Sequence, residues 1–325
     1  MPRMCSETQP RARLRRLNLH GPTMGTRWSV RCDVEAQVDA DALQWALAAA
    51  VAQVDAQMSP WKPASDLNRL NAAPPDEWVA LPAETMQVLE RALQVCRDSG
   101  GAFDPAVGAL VDAWGFGAVR DAPDAGAIRV AAQVAHRPAH QVLELDPSAG
   151  RACKRVPLQL DLCGIAKGYG VDRMTEVLQR HGVAHALAAL DGELRALGAQ
   201  ADGRPWPVAV ESPEPGRRAA HGLIELQDLA VATSGDYRRF VDIGGVRLAH
   251  TMDARRGAPV RNDLASVTVL ARDCMSADAW ATALLVAGPG EGLALAQRFG
   301  LEALFLLRRD GRWVELGLGR FGSNC

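Results

Sequence analysis

The stretch DLCGIAKGYGVD, residues 161–172, places an acid at a strand end, a glycine turn after it, and Lys167 in the first turn of a following helix. Backbone N–H groups at a helix start, with a lysine beside them, suit a phosphate. The order of glycines and lysine is not that of a Walker A loop. A plain strand-to-helix turn with a surface lysine would read the same way. Farther on, HTMDARRGAP, residues 250–259, sets His250 three residues before Asp253. That spacing fits a base with its orienting carboxylate, and it fits equally an Asx turn at Asp253 beside a half-exposed histidine. In MSADAWATALLVAG, residues 275–288, Asp278 and Thr282 are four apart, so a helix brings both onto one face. Either the two oxygens act together, or Asp278 is the acidic bias of a first turn and Thr282 bonds back to its own helix.

Two further stretches are turn-like. GAFDPAVG, residues 101–108, has Asp104-Pro105 after Phe103, which is ordinary turn chemistry. In MSPWKPASDLNRLN, residues 58–71, Trp61 stands between two prolines, where a rigid indole can stack on a flat ligand or anchor the loop to the core. The histidines show no metal-ligand spacing, and neither G-x-S-x-G nor H-E-x-x-H occurs.

The elements that must position these residues follow from periodicity. Thr26–Val34 alternates as a half-buried strand. Asp39–Met58 has Leu43, Leu47, Val51, Val54 and Met58 at helical spacing. A helix from Ala83 ends at Gly100-Gly101, and another spans Ile165–His181. Strands are predicted over Pro157–Leu162, Ala184–Leu190 and Ser266–Ala271. Hairpins are predicted around Gly244-Gly245 and Asp310-Gly311. A helix over Leu293–Phe299 follows the 275–288 helix. Residues 58–71 read as a loop, 203–222 as a surface loop or twisted hairpin, and 1–20 as a disordered arm. Without regular βαβ alternation or repeats, residues 21–325 read as one α+β domain, with a division into two interlocked lobes left open.

The hydrophobic fraction of 48% supports a sizeable core, and a net charge of −2 gives no footprint for nucleic acid. The seven cysteines are odd in number and widely spaced without C-x-x-C, against a disulfide framework or structural zinc. No stretch reads as a membrane span. As written the chain is expected to be cytoplasmic; a trimmed signal segment would make it periplasmic or membrane-anchored.

Taken in order, MGT (24–26), MSPWKPASDLNRLN, GAFDPAVGALVDAWGFG, DLCGIAKGYGVDR, DGELRALG, ATSGDYRRF, HTMDARRGAP, SVTV and SADAWATAL resemble the ApbE family of FAD:protein FMN transferases over about residues 22–308. The resemblance implies an FAD site, between the lobes if there are two. It implies an Mg²⁺-dependent cleavage of the FAD pyrophosphate, transfer of FMN to a Ser or Thr hydroxyl of an acceptor flavoprotein, and release of AMP. It implies an oxygen-ligand metal site at Asp278, Thr282 and a backbone carbonyl of Gly164 or Ala166. His250 would be the base for the acceptor hydroxyl, with Asp253 orienting it. Trp61 would stack on a ring of FAD, and Met24, Ala102, Phe103, Asp104, Asp161, Lys167, Glu193 and Ser266 would contact FAD. The chain departs from the family pattern at Ala254, where a proline follows Asp253 in the family, at Asp191 in D-G-E, and at Cys163 in place of a glycine. An FAD pyrophosphatase and a non-catalytic FAD-binding accessory protein are the alternatives.

Overall fold

A computed structural model describes residues 14–133, 136–214, 219–237, 240–243, 246–309 and 312–322. Its centre is an eight-stranded sheet. The strands are β1 (Arg15–Thr23), β2 (Thr26–Val34), β3 (His185–Leu190), β4 (Glu193–Leu197), β5 (Ala230–Gly235), β6 (Leu264–Ala271), β7 (Glu302–Arg309) and β8 (Arg312–Gly317). They lie side by side in chain order, each antiparallel to its neighbours. The functional segments are the excursions between neighbouring strands. The longest joins β2 to β3 and carries helices α1 (Ala40–Met58), α2 (Ala83–Asp98) and α3 (Ala166–Arg180); α4 (Cys274–Arg298) joins β6 to β7.

The helices start where local chemistry starts them. The Asp39 carboxylate accepts the N–H groups of Asp41 and Ala42 at the head of α1, and α2 follows Pro82. The helices expected at 275–288 and 293–299 are one element, kinked at Gly288 (φ 79°) before Pro289. Of the described helices, α4 is long and apolar enough to cross a membrane, but most of it is buried inside the molecule. The α+β expectation holds, as a single domain. Its interior has one apolar cluster around Trp28, Leu43, Leu47 and Met174 and another around Leu89, Leu160, Trp280 and Phe305.

Several local expectations are corrected. Residues 15–20, placed in the disordered arm, belong to the edge strand β1. Leu17 and Leu19 pack against the α1 cluster while Arg16, Asn18 and His20 face out, a period of two that the arginine-rich surroundings hide. Residues 1–13 lie outside the described residues. Pro157–Leu162 joins no strand ladder; Leu160 is held instead by both amide atoms of Asn71. The 58–71 loop contains a helix, Asp66–Ala72, capped by Ser65 and too short for periodicity to reveal. Of the two readings of 203–222, the hairpin holds: Trp206–Glu211 pairs with Ala220–Leu226. Strands flank Gly244-Gly245 and Asp310-Gly311 as expected, while those turns lie outside the described residues.

Candidate active site

The site is built on the crossing of α3 and α4. Gly168, in the first turn of α3, donates its N–H to Asp278 Oδ2 at 2.9 Å. In return Asp172, one turn on, accepts the N–H groups of Cys274 and Met275 at the head of α4, each at 2.9 Å. Arg195 Nη1 holds the Asp172 carboxylate at 2.6 Å. The backbones nearly touch, since a Cβ on Gly168 would lie 2.3 Å from the Cys274 carbonyl oxygen. Each helix thus fastens the other's N-terminus, where free N–H groups and the helix dipole attract a carboxylate.

Asp278 is 3% exposed. Burial pushes its carboxyl up to about 7; Glu193 adds to that, while Lys167 and the Gly168 N–H oppose it. One turn later, Thr282 Oγ1 shares a 3.0 Å hydrogen bond with Ser234 Oγ at the end of β5. Gly164 lies against the same hydroxyl, so close that a Cβ there would sit 3.1 Å from Thr282 Oγ1. Asp278, Thr282 and the turn before α3 therefore converge.

Lys167 reaches the same place and pairs with Glu193 Oε1 at 2.5 Å. Burial alone would lower its ammonium, but Glu193 and Asp278 outweigh burial and raise it. The other oxygen of Glu193 is buried without a hydrogen-bond partner. Asp161 accepts the Cys163 N–H at 2.6 Å, and burial pushes its carboxyl up. Asp104 caps the Pro105–Val107 turn through the Ala106 N–H and also pairs with His136 Nε2 at 3.0 Å. Met24 sits in the tight β1–β2 turn with φ 46°, a left-handed conformation unusual for a side chain of its size. His250 meets the ring of Phe116 edge-on, with centroids 6.3 Å apart.

One cleft of about 1390 Å³ joins these groups. Its lining includes Met24, Trp61, Ala102, Phe103, Asp104, Asp161, Gly164, Ala166, Lys167, Glu193, His250, Asp278 and Thr282. Two expected site residues are not on its wall. Asp253 is buried, and its Oδ1 accepts the Arg255 N–H at 3.0 Å and Arg255 Nε at 3.2 Å. This is the Asx turn, reinforced by a guanidinium that also reaches Glu291. Ser266 lies behind the wall, paired in the ladder with Gly235, and its Oγ has no partner.

The sequence model of the ApbE family matches residues 24–305. This chain belongs to the ApbE family. The FAD:protein FMN transferase of Vibrio cholerae is 34% identical over 310 residues, covering 94% of this chain and 91% of that relative. The Haemophilus influenzae protein of the same name is 33% identical over 315 residues, covering 94% and 90%. The crystal structure of the apo flavinyl transferase ApbE of Pseudomonas stutzeri superposes with a TM-score of 0.84 at 35% identity, covering 95% of this chain and 96% of that one.

In this ApbE protein the cleft also uses residues that sequence reasoning left without a role. Thr233, Ser234 and Gly235, from the ATSGDYRRF stretch, form the wall facing Thr282. Their signal was the Thr-Ser-Gly run of the ATSGDYRRF stretch. Phe116, from DAWGFG, shapes the wall at His250. Asp172 and Gly168 were visible only as helix residues, because their partners lie 102 and 110 positions away.

Proposed function

We propose that this chain is an Mg²⁺-dependent FAD:protein FMN transferase. It is a transferase of the ApbE family, and the observation that carries the reading is the convergence of Asp278, Thr282 and the Gly164 turn beside Lys167. The donor set suits a hard cation: one buried carboxylate, one hydroxyl and backbone carbonyls at Gly164 or Ala166. Among the described residues no three His, Cys, Asp or Glu side chains cluster as a metal site. Oxygens of the backbone, of water and of the FAD pyrophosphate would complete the shell. Bound there, Mg²⁺ would neutralise charge on the phosphoryl oxygens.

The chain's own groups do the rest. Lys167, at the head of α3, holds the pyrophosphate. His250 takes the proton from the acceptor Ser or Thr hydroxyl. That oxygen bonds to the FMN phosphorus, the bond from this phosphorus to the bridging oxygen breaks, and AMP departs carrying the bridging oxygen. Asp253 acts at one remove, by locking the turn that follows His250, a turn that here lacks the family's proline. The test is incubation with FAD, Mg²⁺ and a purified acceptor flavoprotein, reading a fluorescent acceptor band after denaturing electrophoresis and AMP by chromatography. AMP with free FMN and an unlabelled acceptor would make the protein a pyrophosphatase, and FAD binding without AMP would make it a carrier.

Two predictions arise at this site. His250→Gln should slow transfer roughly 100-fold, the low end for a general base, while FAD affinity by fluorescence titration stays near wild type. An unchanged transfer rate would remove His250 from the reaction. The second concerns pH. A carboxyl at about 7 in the fold and about 4 in the unfolded chain means that the native state keeps a proton the unfolded state has lost. The metal-free protein therefore loses stability as pH climbs between those values. Mg²⁺ binds the carboxylate and displaces that proton. The Mg²⁺-induced rise in Tm should accordingly be small at acidic pH and grow as pH passes 7; a shift equal at both ends would disprove the assignment.

A further inference from the structure

Helix α4 carries more than the two side chains it lends to the cleft floor. Its first part presents Asp278 and Thr282, and it then kinks at Gly288 before Pro289. Pro289 has no N–H, so it cannot give the Leu285 carbonyl the helical hydrogen bond due from that position. Asn262 takes its place, with Nδ2 donating to Leu285 O at 2.9 Å. The approach is close, since a Cβ on Gly288 would stand 3.4 Å from the same nitrogen. Asn262 Oδ1 accepts the Leu264 N–H at 2.9 Å, so both ends of the amide are engaged. Just past the kink, Glu291 receives Arg255, whose Nη1 lies 2.8 and 3.0 Å from the two carboxylate oxygens.

Both bridges reach one short segment, residues 250–262. Its legs pair Met252 with Pro259 and Asp253 with Ala258, and the Val260 N–H donates to the Thr251 carbonyl at 2.9 Å. His250, Thr251 and Met252 line the cleft. At the tip the Arg256 N–H donates to Asp253 O at 3.1 Å, which closes residues 253–256 into a β-turn. Proline is favoured at the second position of such a turn because it presets φ. Here that position is Ala254, and the tip is fixed by side-chain contacts instead. Arg255 supplies them: its backbone N–H and Nε hold Asp253 Oδ1, and its guanidinium continues to Glu291. The Glu291 side chain is 48% exposed, so this pair adds little to global stability. Its effect is on where the tip stands.

We propose that α4 places the base as well as the proposed metal ligands. Its kink, through Leu285 on Asn262 and Glu291 on Arg255, brackets the 250–262 segment and sets where His250 stands relative to Asp278 and Thr282. Asn262 and Glu291 are positioning residues, and neither lines the cleft. The role of His250 as base rests on the flavin-transfer reading; the bracket does not. One helix then registers the proton acceptor against the pyrophosphate end of the site, and a shift of either half of α4 changes the distance between them.

The test is Glu291→Lys in the full chain, which keeps a good helix former and sets a second cation against Arg255. Hydrogen exchange over residues 251–260, read by mass spectrometry, should quicken about tenfold, while Tm stays within about 1 °C of wild type. With FAD, Mg²⁺ and an acceptor flavoprotein, kcat for transfer should fall roughly tenfold, short of the 10²-fold that about 1 Å of misplacement costs. KM for FAD should not change. Adding Ala254→Pro, which presets φ in the turn, should restore most of the protection and of the rate. Unchanged exchange over 251–260, a fall in Tm that shows the whole fold loosened, or a double variant no tighter than Glu291→Lys would overturn the bracket. So would a loosened segment with normal kcat in Glu291→Lys while His250→Gln is slow. A loosened segment with transfer unmoved by either change would instead fail His250 as the base and leave the bracket standing.

Discussion

Asp278→Asn should lower Mg²⁺-dependent turnover by about 10³-fold while the protein stays folded. In the proposed Mg²⁺ site Asp278 is the one carboxylate, and its removal would forfeit several kcal/mol of charge stabilisation; about 4 kcal/mol is roughly 10³ in rate. The amide keeps an oxygen for the Gly168 N–H, now 2.9 Å from Oδ2, so the helix crossing keeps its bond. It also removes a carboxylate that burial disfavours, so the metal-free melting temperature should hold or rise. Steady-state AMP release against Mg²⁺ concentration and a thermal melt check both halves. Wild-type turnover in the variant would return Asp278 to a purely local role at the helix crossing. A collapse of Tm with loss of turnover would show that its bond to Gly168 outweighs its charge.

Gly168→Ala should be damaging in the opposite manner, through the fold to the site. In an exposed helix the change would gain about 1 kcal/mol from propensity. Here the new Cβ would stand 2.3 Å from the Cys274 carbonyl oxygen and 2.8 Å from Asp278 Cβ. Overpacking of that kind costs up to about 3 kcal/mol, so sterics win by about 2 kcal/mol. A Tm lower by roughly 3 °C is expected. Because relief comes only by moving α4 off α3, Asp278 and Thr282 move with it, and a displacement near 1 Å costs about 10² in rate. Calorimetry and turnover at a temperature where both proteins are folded measure the two effects. A variant as stable and active as wild type would mean that the crossing is looser than its geometry.

Much of this was legible in the chain because the signals were local. The alternation from Trp28 to Val34 marks β2 to the residue, and apolar spacing with flanking caps marks α1, α2 and α3. Asp278 and Thr282 could be placed on one face from their spacing, and the 161–172 turn could be read as an anion site from its glycines and Lys167. What stayed hidden depended on distant partners. No local pattern says that Gly168 must be bare to admit Cys274, or that Asp172 caps a helix 102 positions later. Asp253 carried two readings until Arg255 was seen to hold it. The edge strand β1 was obscured by its arginines, and prolines left the Trp206 hairpin undecided from a surface loop, although their inward residues, Leu17, Leu19, Trp206 and Val208, pack normally.

The reciprocal fastening of α3 and α4 divides the molecule into a stiff and a compliant part. The amides of Gly168, Cys274 and Met275 are each held by a buried carboxylate from the other helix, so none can open without separating both helices from the core. Their hydrogen exchange should proceed only through global unfolding. At the rim the half-exposed Trp61 sits in a loop held by the Asn68 amide on the Pro60 and Lys62 carbonyls, not by a buried carboxylate. In the proposed reaction, admission of the nucleotide and the acceptor would be accommodated at the rim, over a floor fixed by the α3–α4 crossing. The entropy of ordering falls on the loops, and the reacting groups lose almost none. Exchange at those three amides as fast as at the rim would show the floor to be as compliant as the entrance.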